Sequence, residues 1–370
     1  MSSTERVAVA LSGGVDSAVA AARLQAQGYE VFGVTMRLWD GSVADSGADG
    51  NRACCGSRDL EDARRVADCL DIPFTVIDLE AAFRHHVVDD FIDRYQEGET
   101  PNPCIRCNQF LKFTILLERV QSLGATALAT GHYAILERTG REIPRLLRGV
   151  DPRKDQSYFL FTLTANQMRR LHFPVGELTK DETRRLAARL ALPVAEKRES
   201  QDLCFVPGGD YADFFARHQP HAMRPGPIEE LSGRRLGQHR GIGLYTIGQR
   251  RGLGIASPHP LYVVAIDPIG NRLIVGPEEA LQGESLELEG VNWIDDTPLV
   301  APIRIEARVR YASPAVPAWV EPGAEGCARV RFEKRERAIT PGQACVFYRE
   351  RRMLGGGWIR RWHPSPILPG

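Results

Sequence analysis

The stretch Arg6-Val-Ala-Val-Ala-Leu-Ser-Gly-Gly-Val-Asp-Ser17 decides the fold. Its first half is a short apolar run, which is typical of a strand buried on both faces of a parallel sheet. Residues 18–27 are rich in alanine and predict a helix that ends before Gly28. A strand, a loop with two glycines and a helix in this order form the first unit of an α/β domain.

Strands and helices continue to alternate along the next hundred residues. Apolar runs predict strands at 30–36, 73–78 and 125–130, and helical periodicity predicts helices at 58–70 and 111–123. Parallel strands joined by helices form a doubly wound sheet. We therefore predict an α/β fold with a doubly wound parallel sheet in an N-terminal domain, residues 1–197.

Beyond residue 197 glycine and proline become frequent and helical periodicity fades. The β-branched runs at 262–267 and 272–275 predict a hairpin, because a turn-forming segment separates them. We therefore predict a small central β-rich domain at residues 198–285.

The C-terminal segment, residues 286–370, reads as an antiparallel β-barrel because alternating strands occur at 303–310 and 344–348. Gly355-Gly-Gly357 predicts a turn before its last strand. The chain has 47 basic and 47 acidic residues, but residues 301–370 hold thirteen Lys/Arg against six Asp/Glu, a net +7 that the rest of the chain balances. This distribution fits either a nucleic-acid-binding face or an ordinary solvated surface.

The composition is that of a globular protein. Of the 370 residues, 43% are hydrophobic and 25% are charged, which argues against extensive disorder. The sequence has no apolar run of the ~18 to 20 residues that a membrane span needs, and residues 1–6 lead straight into a strand without the apolar core of a signal peptide. We therefore expect a cytoplasmic protein without a membrane partner, whose eight cysteines are reduced.

The loop at 12–17 predicts an anion site. Two glycines let successive backbone amides point inward, and the helix that follows adds positive potential, which together suit a pyrophosphate group. The Ser-Gly-Gly-x-Asp-Ser string resembles the loop of the ATP pyrophosphatase (PP-loop) superfamily, whose adenine nucleotide alpha hydrolase-like domains split ATP between the α and β phosphates. This resemblance implies ATP contacts from Ala10, Leu11, Ser12, Gly13, Gly14, Val15, Asp16, Ser17, Met36 and Gly131. Asp16 would hold Mg²⁺ against the phosphates, and Met36 would lie beside adenine.

Three cysteines stand in polar or proline-rich contexts. Cys104 and Cys107 lie in Thr100-Pro-Asn-Pro-Cys-Ile-Arg-Cys-Asn108, which predicts a loop, and Cys204 follows about a hundred residues later. The trio fits a zinc site if Cys54 or Cys55 adds a fourth ligand, an iron–sulfur cluster such as [4Fe-4S], or sulfur transfer through a persulfide and a disulfide. Cys69, Cys327 and Cys345 have apolar neighbours and are predicted to be buried packing residues.

Longer motifs extend the resemblance over residues 6–348. They are similar to those of the bacterial tRNA-specific 2-thiouridylase family: Thr100-Pro-Asn-Pro, Gly131-His-Tyr-Ala134, Asp151-Pro-Arg-Lys-Asp-Gln-Ser-Tyr-Phe-Leu160, Phe173-Pro-Val-Gly-Glu-Leu-Thr-Lys180, Cys204-Phe-Val206 and Gly243-Leu-Tyr-Thr-Ile-Gly-Gln-Arg-Arg-Gly-Leu-Gly254. The family thiolates carbon 2 of the wobble uridine in tRNAs for Lys, Glu and Gln, with release of AMP and pyrophosphate. The resemblance therefore implies tRNA as substrate, a cysteine desulfurase or sulfur-relay protein as donor, and a reductant.

The same resemblance assigns roles to individual residues. Cys107 matches the nucleophile and Cys204 the cysteine that receives the persulfide. The tRNA-facing positions are implied to be Asn102, Pro103 and Cys104 beside the flipped base, together with His132, Lys154, Asp155, Gln156, Arg310, Tyr311 and Gln343.

Two departures from the family pattern concern the cysteines. Many members have Asp where this chain has Cys104, which favours a cluster held by Cys104, Cys107 and Cys204. Asp202 adds a negative charge near Cys204, which is expected to raise the pKa of its thiol. Two alternative functions remain open at this point: a PP-loop ligase or amidase for a small molecule, and a non-catalytic RNA-binding sensor.

Overall fold

The computed structural model describes residues 5–38, 57–138, 140, 142–198, 203–206, 211–218, 223–295, 297 and 299–364. Cys54, Cys55 and Asp202, for which predictions were made from the sequence, lie outside these ranges. Among the helices described, none is both long and apolar enough to cross a membrane.

A five-stranded parallel sheet organises the N-terminal part, as predicted. Its strands are β1 (Arg6–Ala10), β2 (Glu30–Arg37), β3 (Phe74–Asp78), β4 (Ala127–Ala129) and β7 (Leu171–His172), in the order β3-β2-β1-β4-β7. The strand order changes direction at β1, which lies between β2 and β4. In sheets of this kind, the crevice at the carboxyl ends of the strands at such a switch point is the usual ligand site.

Apolar side chains cover both faces of this sheet, which explains the continuous apolar run of β1. Val7 and Val9 pack in one core cluster and Ala8 in another, and all three are fully buried. The principal helices of this part are α1 (Val15–Ala26), α2 (Ser57–Cys69), α7 (Ala165–Met168) and α8 (Lys180–Arg189).

Two continuous helical stretches lie beside the sheet, each with a π-helical part. The first consists of α3 (Glu80–Phe83), the π segment Arg84–Asp89 and α4 (Asp90–Gln96); the second consists of α5 (Pro103–Arg106), the π segment Cys107–Leu116 and α6 (Leu117–Ser122). The prediction that Cys104 and Cys107 lie on a loop was wrong. The Asn102 side chain accepts the Ile105 amide at 3.3 Å and caps the helix, and Pro103 occupies its first turn.

The central part contains a four-stranded sheet that follows α9 (Tyr211–His218). Its strands are β8 (Gly226–Glu230), β9 (Arg235–His239), β10 (Tyr262–Asp267) and β11 (Arg272–Gly276), in the order β10-β11-β8-β9. The predicted hairpin is confirmed as the antiparallel pair β10–β11.

The C-terminal part is the predicted antiparallel barrel. It consists of β12 (Gln282–Trp293), β13 (Ile303–Arg308), β14 (Val316–Pro322), β15 (Ala328–Arg337), β16 (Ala344–Arg349) and β17 (Arg352–Pro364). Pairing of β12 with β17 closes it. A hairpin of β5 (Ala134–Glu137) and β6 (Arg145–Arg148), from the N-terminal part, adds to the edge of β17.

The predicted turn at Gly355–Gly357 is wrong, because these glycines lie inside β17 and pair with neighbours on both sides. A Cβ atom at Gly355 would lie 2.1 Å from the Asn292 carbonyl oxygen, and one at Gly356 would lie 3.0 Å from the Phe161 ring. The glycines therefore serve close strand packing rather than chain reversal.

Candidate functional site

The loop between β1 and α1 is closed by its own hydrogen bonds. Ser17 Oγ accepts the Ser12 amide at 3.2 Å and donates to the Gly14 carbonyl oxygen at 3.1 Å. Gly14 precedes the first turn of α1 in extended backbone. The loop thus curls around the amino end of a twelve-residue helix, the arrangement that favours a bound phosphate group.

Gly13 allows α2 to approach this loop closely. Its φ is +66°, and a Cβ atom there would lie 2.3 Å from the Asp59 carbonyl oxygen. Lys197 fastens the same place, since its Nζ donates to the Gly13 carbonyl oxygen at 2.9 Å, to Asp59 at 2.6 Å and to Asp62 at 2.5 Å. The sequence analysis used residue 197 only as a predicted domain border. It did not predict the contacts of Lys197, because no local pattern indicates partners more than a hundred residues away in the chain.

Asp16 lies in the first turn of α1 and has two hydrogen-bonding partners from other segments. Lys180 Nζ donates to its two carboxylate oxygens at 2.7 and 2.9 Å, and the Tyr133 hydroxyl donates to Oδ1 at 2.8 Å. Gly131 follows β4 so close to α1 that a Cβ atom would lie 2.7 Å from the Ser17 nitrogen. Asp16 offers hard oxygen atoms beside a phosphate-binding loop, so the residues present fit Mg²⁺.

The other residues predicted for ATP gather at the same edge of the sheet. Ala10 ends β1, Leu11 follows it and Val15 begins α1. Met36 lies near the end of β2, directly beside β1, and is 9% exposed. The structure therefore brings the predicted ATP residues together at the switch point of the sheet.

Cys107 and Cys204 both contact the large apolar core cluster, which also includes residues of the parallel sheet and of the barrel. Cys107 is 9% exposed and is a member of the large core cluster, and Cys204 packs against that same cluster from a segment far along the chain. Phe205 anchors that segment, with its ring centroid 5.1 Å from that of Phe91 and 5.9 Å from that of Phe83. Cys104, by contrast, is exposed.

A metal-holding arrangement of these cysteines is not found. Within the part of the chain that the structure describes, which includes Cys104, Cys107 and Cys204, no three His, Cys, Asp or Glu side chains come together as metal ligands. The predicted [4Fe-4S] site therefore does not fit this geometry.

Of the other cysteines, Cys345 is fully buried and Cys327 half-buried, but Cys69 is exposed at the end of α2, contrary to prediction.

The barrel holds the segment that precedes the helical stretch 103–122, which carries Cys104 and Cys107 and is called the cysteine helix below. Gln343 Nε2 donates to the Thr100 carbonyl oxygen at 2.7 Å and to that of Pro101 at 3.4 Å. The Thr100 amide in turn donates to the Pro341 carbonyl oxygen at 2.9 Å. Further along the helix, the Arg106 guanidinium lies 4.3 Å from the centroid of the Trp358 ring. Barrel residues thus hold the chain just before and just after Asn102, Pro103 and Cys104, which are expected to border a flipped base.

His132 is an interior residue. It is 8% exposed, its Nδ1 lies 2.7 Å from Thr130 Oγ1, and its ring packs beside Phe113 and Phe173. Burial and, to a lesser degree, the Lys112 ammonium hold the pKa of His132 well below its usual range.

The three side chains of the segment 154–156 differ in exposure and in hydrogen-bonding partners. Lys154 is half-exposed, whereas Asp155 is 4% exposed and accepts the amides of Gly149 and Ser157 at 3.1 Å each. Gln156 Oε1 accepts the Tyr133 amide at 3.0 Å, which links this segment to the Asp16 site.

Arg310 and Tyr311 follow β13 and are half-buried. Arg310 donates to the Arg337 carbonyl oxygen at 3.0 Å, and the Tyr311 ring centroid lies 4.5 Å from that of Phe159. Ion pairs with acidic residues from outside 301–370 neutralise part of the positive charge of this segment: Arg308–Asp155, Arg335–Glu284, Arg337–Glu278 and Arg352–Asp295.

Comparison with known proteins assigns the family. Three protein-family models match in succession: a tRNA methyl transferase HUP domain at residues 5–208, a tRNA methyl transferase PRC-barrel domain at 212–277 and an aminomethyltransferase beta-barrel domain at 284–359.

Two curated relatives match almost end to end. The tRNA-specific 2-thiouridylase MnmA of Magnetococcus marinus is 55% identical over 97% of this chain and 100% of its own length. MnmA of Geobacter metallireducens is 50% identical over 96% of each chain. Among solved structures, a 4-thiouridine synthetase in complex with RNA and ATP is 14% identical over 54% of this chain and 44% of its own, with a TM-score of 0.33, too low to carry an argument. The identities and their coverage show that this chain belongs to the tRNA-specific 2-thiouridylase family.

Proposed function

We propose that this protein is an ATP-dependent tRNA-uridine 2-sulfurtransferase that converts the wobble uridine of tRNAs for Lys, Glu and Gln to 2-thiouridine. One observation carries the proposal: this member of the family has both a loop suited to phosphate at the switch point of the sheet and two cysteines, Cys107 and Cys204, that contact the same apolar core. A ligase for a small molecule needs no such pair, and a non-catalytic sensor needs no activation site.

The first step activates the base. The oxygen on carbon 2 of uracil is a poor leaving group, and its attack on the α phosphorus of ATP turns it into the oxygen of an AMP ester while pyrophosphate departs. The amides of the loop at 12–17 and the amino end of α1 bind the phosphates. Asp16 would hold Mg²⁺ beside this loop, and the ion would supply positive charge that offsets the negative charge on the departing pyrophosphate.

The second step transfers sulfur. The outer sulfur of a Cys204 persulfide attacks carbon 2, and AMP leaves with the original oxygen. The Cys107 thiolate then attacks the Cys204 sulfur, which breaks the sulfur–sulfur bond, leaves 2-thiouridine and forms a Cys107–Cys204 disulfide. A thiol reductant supplies two electrons to reopen it, and a cysteine desulfurase or relay protein reloads Cys204. No step passes through a metal cluster.

The tRNA is proposed to contact both the cysteine helix and the barrel. Asn102, Pro103 and Cys104 border the flipped base, and Lys154, Arg310 and Tyr311 contact the RNA from either side. Four of the residues expected to face tRNA form hydrogen bonds within the protein instead: His132, Asp155, Gln156 and Gln343. We propose that they act by holding neighbouring segments in place. A wobble uridine in an anticodon loop is readily unstacked, which suits such a site.

The test is a reconstituted assay with tRNA, ATP, Mg²⁺, a cysteine desulfurase with cysteine, and a thiol reductant. Nucleoside mass spectrometry is expected to find 2-thiouridine only in the complete mixture, with one AMP per thiolated base. ATP cleavage without thiolated RNA, and no dependence on tRNA, would point to the small-molecule ligase instead.

A further inference from the structure

A buried ammonium group lies directly against the carboxylate that is proposed to hold Mg²⁺. The Lys180 side chain is 7% exposed, and its Nζ donates to both oxygens of Asp16, whose side chain is 31% exposed. The resemblance to known families assigned no role to Lys180. Its partner belongs to the nucleotide loop, so the pair is not an isolated structural feature.

Lys180 is held at both ends. It begins α8, where Thr179 and Glu182 form a capping box, and its amide donates to Asp151 Oδ2 at 3.1 Å. At the other end its Nζ lies 5.8 Å from the centroid of the Tyr133 ring. The position of Lys180 at the start of α8 and its contact with Tyr133 therefore direct the ammonium toward Asp16.

The Asp16 carboxylate keeps one hydrogen-bond acceptor position that Lys180 and Tyr133 do not occupy. Each carboxylate oxygen accepts two hydrogen bonds. Oδ1 of Asp16 accepts from Lys180 and Tyr133, whereas Oδ2 accepts from Lys180 alone among the contacts of the described residues. One acceptor position on Oδ2 thus remains for a further cation, but that cation would approach a carboxylate whose charge Lys180 already balances.

We propose that Lys180 is a positioning residue that makes metal binding at Asp16 depend on nucleotide. Without ATP, repulsion from the ammonium disfavours a second cation beside Asp16. The negative phosphates of ATP outweigh this repulsion, so the metal enters together with the nucleotide. Tyr133 contributes orientation without charge. The proposal rests on the proposed use of ATP, but not on the identity of the thiolated substrate.

The test measures binding rather than turnover. Free Mn²⁺ is followed by electron paramagnetic resonance as a probe for Mg²⁺, with and without ATP, in the full chain. For Lys180→Met we expect Mn²⁺ affinity without ATP to rise about tenfold, and the gain in Mn²⁺ affinity that ATP brings to shrink by a similar factor. Lys180→Arg keeps the charge and is expected to keep the nucleotide dependence.

A control variant outside the site keeps the result interpretable. Lys334→Met, at an exposed position on the barrel, is expected to match the unmodified chain in every measurement. Equal Mn²⁺ affinities in Lys180→Met and the unmodified chain, with both folded by circular dichroism, would overturn the proposal. If Lys180→Met does not fold, loss of the ATP dependence in Lys180→Arg overturns it. Failure of tRNA thiolation alone would leave this binding result intact and would count only against the proposed function.

Discussion

The side-chain amide of Gln343 in the barrel donates to the backbone carbonyl oxygen of Thr100, three residues before the helix that carries Cys104 and Cys107. The distance is 2.7 Å, and the two residues are 243 positions apart in the chain. The barrel therefore fixes the segment that is proposed to receive the target base, in addition to its proposed contacts with RNA.

Replacing Gln343 is expected to impair base placement more than nucleotide binding. Gln343→Leu removes both donations to the 100–101 backbone, and we expect the thiolation rate to fall roughly tenfold, since small displacements of a positioned group are costly. The dissociation constant for ATP, measured by equilibrium dialysis, is expected to stay unchanged. Gln238→Leu, at an exposed site in the central sheet, serves as control. A loss of ATP affinity in Gln343→Leu as large as its loss of thiolation rate would contradict this interpretation.

The two cysteines of the apolar cluster are expected to fail in different ways. Cys204→Ser cannot carry the persulfide and should form no 2-thiouridine, whereas Cys107→Ser should stall after attack on carbon 2, with the tRNA covalently bound to Cys204 through sulfur. Denaturing electrophoresis with and without reductant distinguishes the two. Cys104→Ala and Cys69→Ser are expected to remain active. Loss of activity in Cys104→Ala, together with bound iron in the unmodified chain, would restore the cluster hypothesis.

Gly13 and Gly28 provide a matched pair for testing the nucleotide loop. Both have positive φ, +66° and +88°, but a Cβ atom at Gly13 would meet the Asp59 backbone whereas one at Gly28 would meet nothing within 4 Å. Gly28→Ala is expected to lower the free energy of unfolding by about 1 kcal/mol with ATP affinity intact. Gly13→Ala should displace the loop from α2 and reduce ATP affinity at least ~10-fold. Similar ATP affinities for the two variants would argue against a phosphate-binding role.

The local pattern was sufficient to predict the sheet, the loop and the barrel, because periodicity and glycine placement act over a few residues. Partners distant in sequence were out of reach: nothing near Lys180 or Lys197 indicates Asp16 or Gly13. The cysteine helix was missed although Asn102-Pro103 is a capping signal, because prolines were read as loop formers. The prediction of a turn at the glycines of β17 failed for a different reason. Only the neighbouring strands, which are distant in sequence, show why these residues must be small.

Burial of His132 predicts a pH dependence of stability. Its pKa is lowered in the folded state, so the unfolded chain binds a proton more readily as the pH falls. The stability that depends on neutral His132 is complete above about pH 6.5, the usual histidine value, and is lost as the pH falls toward the folded-state pKa.

Urea unfolding between pH 7.5 and 5 measures this effect. His132→Gln is expected to be less stable at pH 7.5 but to lose less stability on acidification than the unmodified chain. His259→Asn, at an exposed position, should leave the slope unchanged. A His132→Gln slope equal to that of the unmodified chain would mean that other groups govern the acid response.

The central claim, activation of the carbon 2 oxygen by ATP followed by sulfur attack, is tested most directly with isotopic oxygen. A tRNA anticodon stem-loop carrying ¹⁸O on carbon 2 of the wobble uridine is thiolated in a single turnover, and the AMP is analysed by mass spectrometry. We expect one ¹⁸O atom in each AMP that accompanies 2-thiouridine. Unlabelled AMP alongside thiolated RNA would contradict it, because the oxygen would then leave without having been joined to the α phosphorus.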